Sequence, residues 1–494
     1  MLNHLQNEFN QSQTANGAFA YASTKSAVLD LFSLGGAFRN RSEEDAIQLI
    51  SKAFGESPSL AMKTLFYLRD IESGQGERRF FRVALKHLAV NNKESLRKNI
   101  HLIPKFGRFD DLLVLLDTGL KNDVLKMIGH LLEADLKAEN PSLMAKWLPS
   151  ENASSPTTKR YGKMVRTGLG LTPKQYRKTL SALRQKISIV ETKLSEKNYD
   201  EINYSKLPSK AGLIYRGAFF RNDEERYKAF LDSLTKGEVT VNAKTLFPYD
   251  IVGKAFEGFR GKNVWGGFGG KQLTEQDIQL LDAQWKALPD FIGENAENSI
   301  AVVDTSGSMS GNPMNVAVSL GIYLAERNKG VFHNHFFTFD SKPSLKKVVG
   351  SNIVEKARNL SDSDWGGSTN VEAVFRKILD TAVKNNVPAE EMIAKVYIIS
   401  DMQFNICTKG VEAHIFKELA KDFGAAGYRL PNLVFWNVNA FASNVPFTMN
   451  EQGVQLVSGL SPTIFKQLLD ANGKTPYELM IDVIMDERYA EVTA

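Results

Sequence analysis

Apolar positions along the chain change their spacing near residue 299. Upstream, SPSLAMKTLFYLRDIE (57–72), ERRFFRVALKHLAV (77–90), LRKNIHLIPKFGRFDDLLVLLDTGL (96–120) and NDVLKMIGHLLEADLKA (122–138) carry apolar residues every three or four positions. That spacing gathers them on one face of a helix. Polar turns such as Glu72-Ser73-Gly74-Gln75-Gly76 separate the segments. The expectation for residues 1–295 is therefore an all-α, HEAT-like helical-repeat region of short helices stacked in pairs. No strict sequence period accompanies it. WLPSENASSPTTKRYG (147–162), with two prolines and several Ser, Asn and Thr, predicts a non-helical break. Helix is expected to resume at Thr172-Pro173, an N-cap followed by proline in the first turn. A glycine-rich stretch, NVWGGFGG (263–270), and a last helix, EQDIQLLDAQWKAL (275–288), lead to the boundary.

Across 296–494, short β-branched or aromatic runs alternate with helical segments. SIAVVD precedes PMNVAVSLGIYLAERN; HNHFFTF, KVYIIS, NLVFWNV and GVQLVSG alternate with NVEAVFRKILDTAV, HIFKELAKDF and PTIFKQLLD. Such alternation predicts an α/β doubly wound, Rossmann-like domain with a mostly parallel sheet. Ligands of such sheets sit at the carboxyl ends of the strands. Asp304 and Asp401 both fall there.

Length changes the picture little: 494 residues exceed one ordinary core, so two or more domains are expected. No apolar run is long enough to span a bilayer, and MLNHLQNEFNQSQ lacks the apolar segment of a signal peptide. Cys407 is the single cysteine, which excludes an intrachain disulfide and a cysteine-based zinc site. These features predict a cytoplasmic protein with no membrane partner. The formal net charge is +5, and the basic excess belongs to the first 300 residues. It is sharpest from Lys159 to Lys193, where ten basic residues meet one acidic residue, Glu191.

The stretch IAVVDTSGSMSG (300–311) carries the most distinctive chemistry. Asp304, Ser306 and Ser308 leave a strand end within five residues. One carboxylate and two hydroxyls in a tight loop suit a hard cation such as Mg²⁺ rather than a soft metal. WGGSTN (365–370) adds Thr369, and YIISDMQF (397–404) adds Asp401 directly after a strand. A site rich in hydroxyls and poor in bound carboxylates leaves the ion electrophilic, ready for an outside carboxylate or phosphate oxygen. Other readings of these residues fail on their own terms. Met309 occupies the centre of Gly307–Gly311, where a nucleophile elbow needs serine. Residues 266–271 lack the first glycine and the final hydroxyl of a phosphate-binding Walker loop. His333 and His335 are expected on one strand face, with no acidic third partner nearby. No nucleophile–His–acid set and no general base beside the loop are visible, so no enzymatic activity is expected.

The basic segment interleaves Lys159, Arg160, Lys163, Arg166, Lys174, Arg177, Lys178, Arg184 and Lys186 with Tyr161 and Tyr176. Cations neutralise phosphates and release counterions, and tyrosines or arginine planes stack on unpaired bases. These nine residues are therefore the candidate RNA contacts, against the alternative of a solvated helical face.

Together, Asp304, Ser306, Ser308, Thr369 and Asp401 resemble the metal-ion-dependent adhesion site (MIDAS) of von Willebrand factor A (vWA) domains. That resemblance implies Mg²⁺ held by the serines and threonine directly or through water, and by the aspartates through water. It also implies one open position for an acidic group on a partner. A helical-repeat region followed by such a domain resembles the Ro-type, or TROVE, RNA-binding proteins, through NGAFAYASTKSAVLDLFSLGGAF (16–38), KFGRFDDLLVLL (105–116) and TLFPYDIVGKAF (245–256). KWLPS (146–150), LPSKAGLIYRGAFFRNDEERYKAFL (207–231), VVDTSGSM (302–309), LGIYLAERNKG (320–330) and IISDMQF (398–404) are similar to the TROVE-related family called domain of unknown function 2828. The family resemblance implies a non-catalytic, Ro-like RNA-binding scaffold of the ribonucleoprotein kind. The alternative is an adaptor that recruits an acidic protein through the ion and has no RNA role.

Overall fold

The structure, a computed structural model, describes residues 8–243, 246–259, 272–294, 297–339, 342–361, 369–406, 408, 410, 414–469 and 471–494. The glycine-rich 263–270 stretch, Cys407 and residues 365–368 of the WGGSTN segment lie outside the described residues.

The first half is helical, and its helices begin where local chemistry satisfies their free N–H groups. Ser42 accepts from Asp45 N–H ahead of helix Glu43–Glu56, with three acidic residues in its first turn. Thr172 and Gln175 cap each other's backbone ahead of helix Pro173–Ile187, as the Thr-Pro pair predicts. Thr274 and Asp277 do the same for helix Glu275–Lys286.

Three sequence expectations need correction here. The break at 147–162 is shorter than expected, because Ser155 caps a helix, Pro156–Gly168, whose first turn holds Pro156. Ser-Pro serves there as a start signal rather than a breaker. The 96–120 segment is not continuous helix. Beyond helix Lys93–Asn99 it passes through a tight 3₁₀ turn and the short helix Ile103–Phe106, then runs as 3₁₀ from Phe109 to Asp117. Gly107 leaves helical geometry, and Asp111 accepts from Arg108 N–H while pairing with Arg69 and Arg82. Finally, the helical region opens with a β-hairpin, β1 (Gln11–Gln13) antiparallel to β2 (Phe19–Tyr21). Gly17 turns it at φ +83°, with Ile406 lying where a Cβ would point.

The second half holds β3 (Ser299–Asp304), β4 (His335–Phe339), β5 (Ser344–Lys347), β6 (Lys395–Ser400), β7 (Asn432–Asn437) and β8 (Val454–Ser458). They form one six-stranded sheet in the order β5-β4-β3-β6-β7-β8, parallel except for the β4–β5 pair. His335 starts β4, but His333 precedes the strand, so the two do not share a strand face. Alternate residues point to opposite faces. Ile300, Val302, Val396, Ile398 and Phe435 pack with helices Val371–Asn385 and Ile415–Ala425. Ala301, Val303, Ile399 and Trp436 face helices Asn312–Arg327 and Thr463–Leu468, and this side merges with the core of the helical region.

The helical run starts and ends against the sheet domain. Helix Ala27–Gly35 lies on β8, where Gly36 approaches the Ser458 backbone too closely for any side chain. Gly36 N–H donates to the Ser458 hydroxyl, which donates to Phe32 O. At the far end, helices Pro248–Phe259 and Glu275–Lys286 pack on Asn312–Arg327 and Ile353–Ser361. Trp285 Nε1 donates to Glu326 there at 2.6 Å. The C-terminal residues lock the circuit: Arg488 pairs with Asp70 and Glu72, and buried Tyr489 stacks on Phe106.

Candidate functional site

Strand order reverses direction about β3, with β4 on one side and β6 on the other. Chains leaving β3 and β6 diverge at that point and open a crevice. Asp304 ends β3 and Asp401 follows β6, and both are fully buried. Asp304 Oδ1 accepts from Ser306 N–H at 2.9 Å, and Oδ2 accepts from the Ser400 hydroxyl at 2.6 Å. The Ser306 and Ser308 hydroxyls are 3.1 Å apart in a short 3₁₀ turn, with Ser308 exposed at the rim. Asp401 Oδ1 accepts from Gln403 N–H at 3.1 Å. Its Oδ2 is buried and makes no regular hydrogen bond among the described residues.

Burial pushes the Asp304 carboxyl up to about 6, with the nearby Asp401 charge adding to the rise. Burial raises Asp401 too, opposed by the Ser308 hydroxyl and the Gln403 amide. Two adjacent buried carboxyls, with no basic partner among the described residues, are destabilising once ionised. A cation would supply the missing charge, and Asp401 Oδ2, without a regular hydrogen bond among the described residues, could accept it or a water it carries. Among the described residues no three His, Cys, Asp or Glu side chains cluster. The donors are two carboxylates and hydroxyls, which fits a hard, partly hydrated ion such as Mg²⁺.

Thr369 is also buried and precedes helix Val371–Asn385. It joins the loop after β6 through Asn405 N–H, which donates to Thr369 O at 3.2 Å. Its hydroxyl accepts from Asn16 Nδ2 at 3.0 Å. Sequence reasoning did not single out Asn16, Ser400 or Gln403. Ser400 and Gln403 flank Asp401 in the chain, and their polarity was a usable signal. Asn16 had none, because nothing local ties it to Thr369.

The basic segment divides, among the described residues, into paired and free cations. Arg160 pairs with Asp117 and stacks over Tyr161. Arg166 binds Glu151 and Leu171 O. Arg184 donates to Ala145 O and Leu148 O, and Lys186 to Leu136 O and Ala138 O. Tyr176 is buried with its hydroxyl on Pro149 O, so it offers no stacking face. Lys159, Lys163, Lys174, Arg177 and Lys178 are exposed and make no ion pair among the described residues. Between helix Lys121–Lys137 and helix Pro156–Gly168 runs a groove of about 690 Å³. Lys121, Lys126, His130, Arg160 and Lys163 line it, with Glu133 as the acidic exception. The helix Lys121–Lys137 cations escaped sequence reasoning, since they are spread over a helix that reads as ordinary and amphipathic.

Residues 14–163 and 155–297 match the family model described as domain of unknown function DUF2828. The chain belongs to the DUF2828 family. Residues 298–491 of this DUF2828 protein match a second model, domain of unknown function DUF7788. Over 525 aligned residues it is 32% identical to "Uncharacterized protein L728" of Acanthamoeba polyphaga mimivirus, covering 96% of this chain and 87% of that one. Among solved structures, it is similar to the Deinococcus radiodurans Ro (RSR) protein, with a TM-score of 0.49 and 13% identity. That alignment covers 90% of this chain and 99% of the other.

Proposed function

We propose that this DUF2828 protein is a non-catalytic RNA-binding scaffold whose sheet domain is a vWA-like module holding Mg²⁺ at Asp304, Ser306, Ser308, Thr369 and Asp401. The observation that carries the RNA reading is the groove beside helix Lys121–Lys137, where Lys121, Lys126 and Lys163 have no internal counterion among the described residues. Lys159, Lys174, Arg177 and Lys178 are further exposed cations on helices Pro156–Gly168 and Pro173–Ile187. Unpaired cations along a groove suit a phosphate backbone, and each neutralised phosphate releases counterions. The Ro-like sequence phrases support the same reading.

Charge reversal at the groove tests it. Replacing Lys121, Lys126, Lys159 and Lys163 with Glu is expected to abolish binding of a single-stranded RNA of mixed sequence and to flatten its salt dependence. Retained affinity and an unchanged salt slope would sink the RNA reading.

A second reading is favoured by the buried Asp401 Oδ2, which makes no regular hydrogen bond among the described residues: an adaptor that grips a partner's carboxylate through the ion. In that case EDTA, or Asp304→Ala, releases a bound protein.

A further inference from the structure

The hairpin at residues 11–21 touches two of the segments carrying candidate ion ligands, Thr369 and the loop after β6. The Thr14 hydroxyl donates to Phe404 O at 2.7 Å, and Ala15 N–H donates to Gln403 Oε1 at 2.7 Å. Gly17 bridges to Asn405, and Tyr21 exchanges two backbone bonds with Val445, each 2.8 Å. Asn444 Nδ2 donates to Gln13 O at 3.0 Å. These contacts span the loops after β6 and after β7. Helical packing of the first half does not require them.

Asn16 makes the decisive pair of contacts. Its Nδ2 donates to Gln403 O at 2.6 Å and to Thr369 Oγ1 at 3.0 Å. A carbonyl oxygen only accepts, so Gln403 O fixes which end of the carboxamide faces Thr369. Thr369 therefore accepts one hydrogen bond from Asn16, which pins its hydroxyl and leaves a second lone pair available. Gln403 closes the network, because its own N–H holds Asp401 Oδ1. One short segment thus touches Thr369 directly and Asp401 through a single intervening residue.

We propose that Asn16 is a positioning residue for the cation site. Residues 13–21 then act as an in-chain strap whose docking and cation binding reinforce each other. The inference rests on the cation-site reading given above. Groups that hold a ligand's hydroxyl or carboxylate in place set metal affinity without touching the metal. By linkage, a cation that favours the docked strap is itself favoured by it, to the same degree. The consequence is regulatory: a partner that lifts the hairpin weakens the ion site, and loss of the ion loosens the hairpin.

Mg²⁺ titration calorimetry on the full chain tests this, together with amide hydrogen exchange. Asn16→Ala is expected to weaken Mg²⁺ binding roughly tenfold, the lower end of the usual range for such outer groups. Thr14→Ala, which loosens the strap without touching Thr369, is expected to weaken it less. In the unmodified protein, Mg²⁺ should slow exchange at the Ala15 and Tyr21 amides, a measurement that does not depend on any variant folding. Equal affinity in Asn16→Ala, or Mg²⁺ binding with no change in exchange over 13–21, overturns the strap while leaving the ion site standing. Failure of the unmodified protein to bind Mg²⁺ removes the ion site and the strap together.

Discussion

Asp304 and Asp401 set the behaviour of the crevice through their acidity. Burial lifts Asp304 from an ordinary value of 3.8 to about 6, and Asp401 moves the same way. Without a cation the native state holds these protons more tightly than the unfolded chain does. The Asp304 contribution to folding is then fully present below about pH 4 and is lost as pH rises through about 6, and Asp401 acts in the same direction. A cation reverses the preference, since it binds the ionised form. Mg²⁺ affinity is therefore expected to fall roughly tenfold between pH 7.5 and pH 5 for one competing proton. Calorimetric titrations at the two pH values check it, and a flat profile would mean that these carboxyls do not face the ion. Neither acidity was readable from the chain. The residue types pointed to oxygen ligation, but their burial depends on which strands flank β3.

Helices illustrate how spacing and function separate. The Thr172-Pro173 cap signal located the start of helix Pro173–Ile187 correctly, yet charge alone treats all nine basic residues of the 159–186 region alike. Which side of the helix a cation occupies decides its role. Arg184 reaches two carbonyls at the end of helix Met144–Trp147, whereas Lys163 faces the open groove. Arg184→Ala is expected to lower stability by about 1–2 kcal/mol through the lost charged hydrogen bonds, with little effect on RNA affinity. Lys163→Ala should do the opposite, leaving stability within about 0.5 kcal/mol. Urea melts and RNA titrations on the two variants separate the roles. The same limit explains the 3₁₀ run at Phe109–Asp117: its apolar spacing resembles helix, while the Asp111 bonds to Arg69 and Arg82 pull it into a tighter turn.

The molecule is closed by its two ends, each reaching into the other half. The hairpin at 11–21 docks on the sheet domain, and residues 487–494 dock on the helices. Tyr489 sits among Tyr67 and Phe106, with its hydroxyl on Asp70. Asn99 and Thr493 exchange hydrogen bonds nearby. Tyr489→Ala removes a fully packed aromatic ring and is expected to cost about 3–5 kcal/mol. Because the lost contacts join the two halves, scanning calorimetry should show one unfolding transition dividing into two. A single transition, merely shifted, would mean that the remaining contacts, among them those of helices 27–35, 248–259 and 275–286 and of the hairpin, are enough to couple the halves.

Periodicity, caps and the strand-end placement of Asp304 and Asp401 were decided locally, so the chain alone determined a helical first half, a mostly parallel sheet and an oxygen-rich loop cluster. Asn16 meeting Thr369 across 353 residues, Arg184 turning inward and the two ends crossing over came only from packing. Side-chain spacing encodes which face of an element is apolar. It carries no record of the surface that face will meet, and that choice rests on the free energy of the whole assembled core.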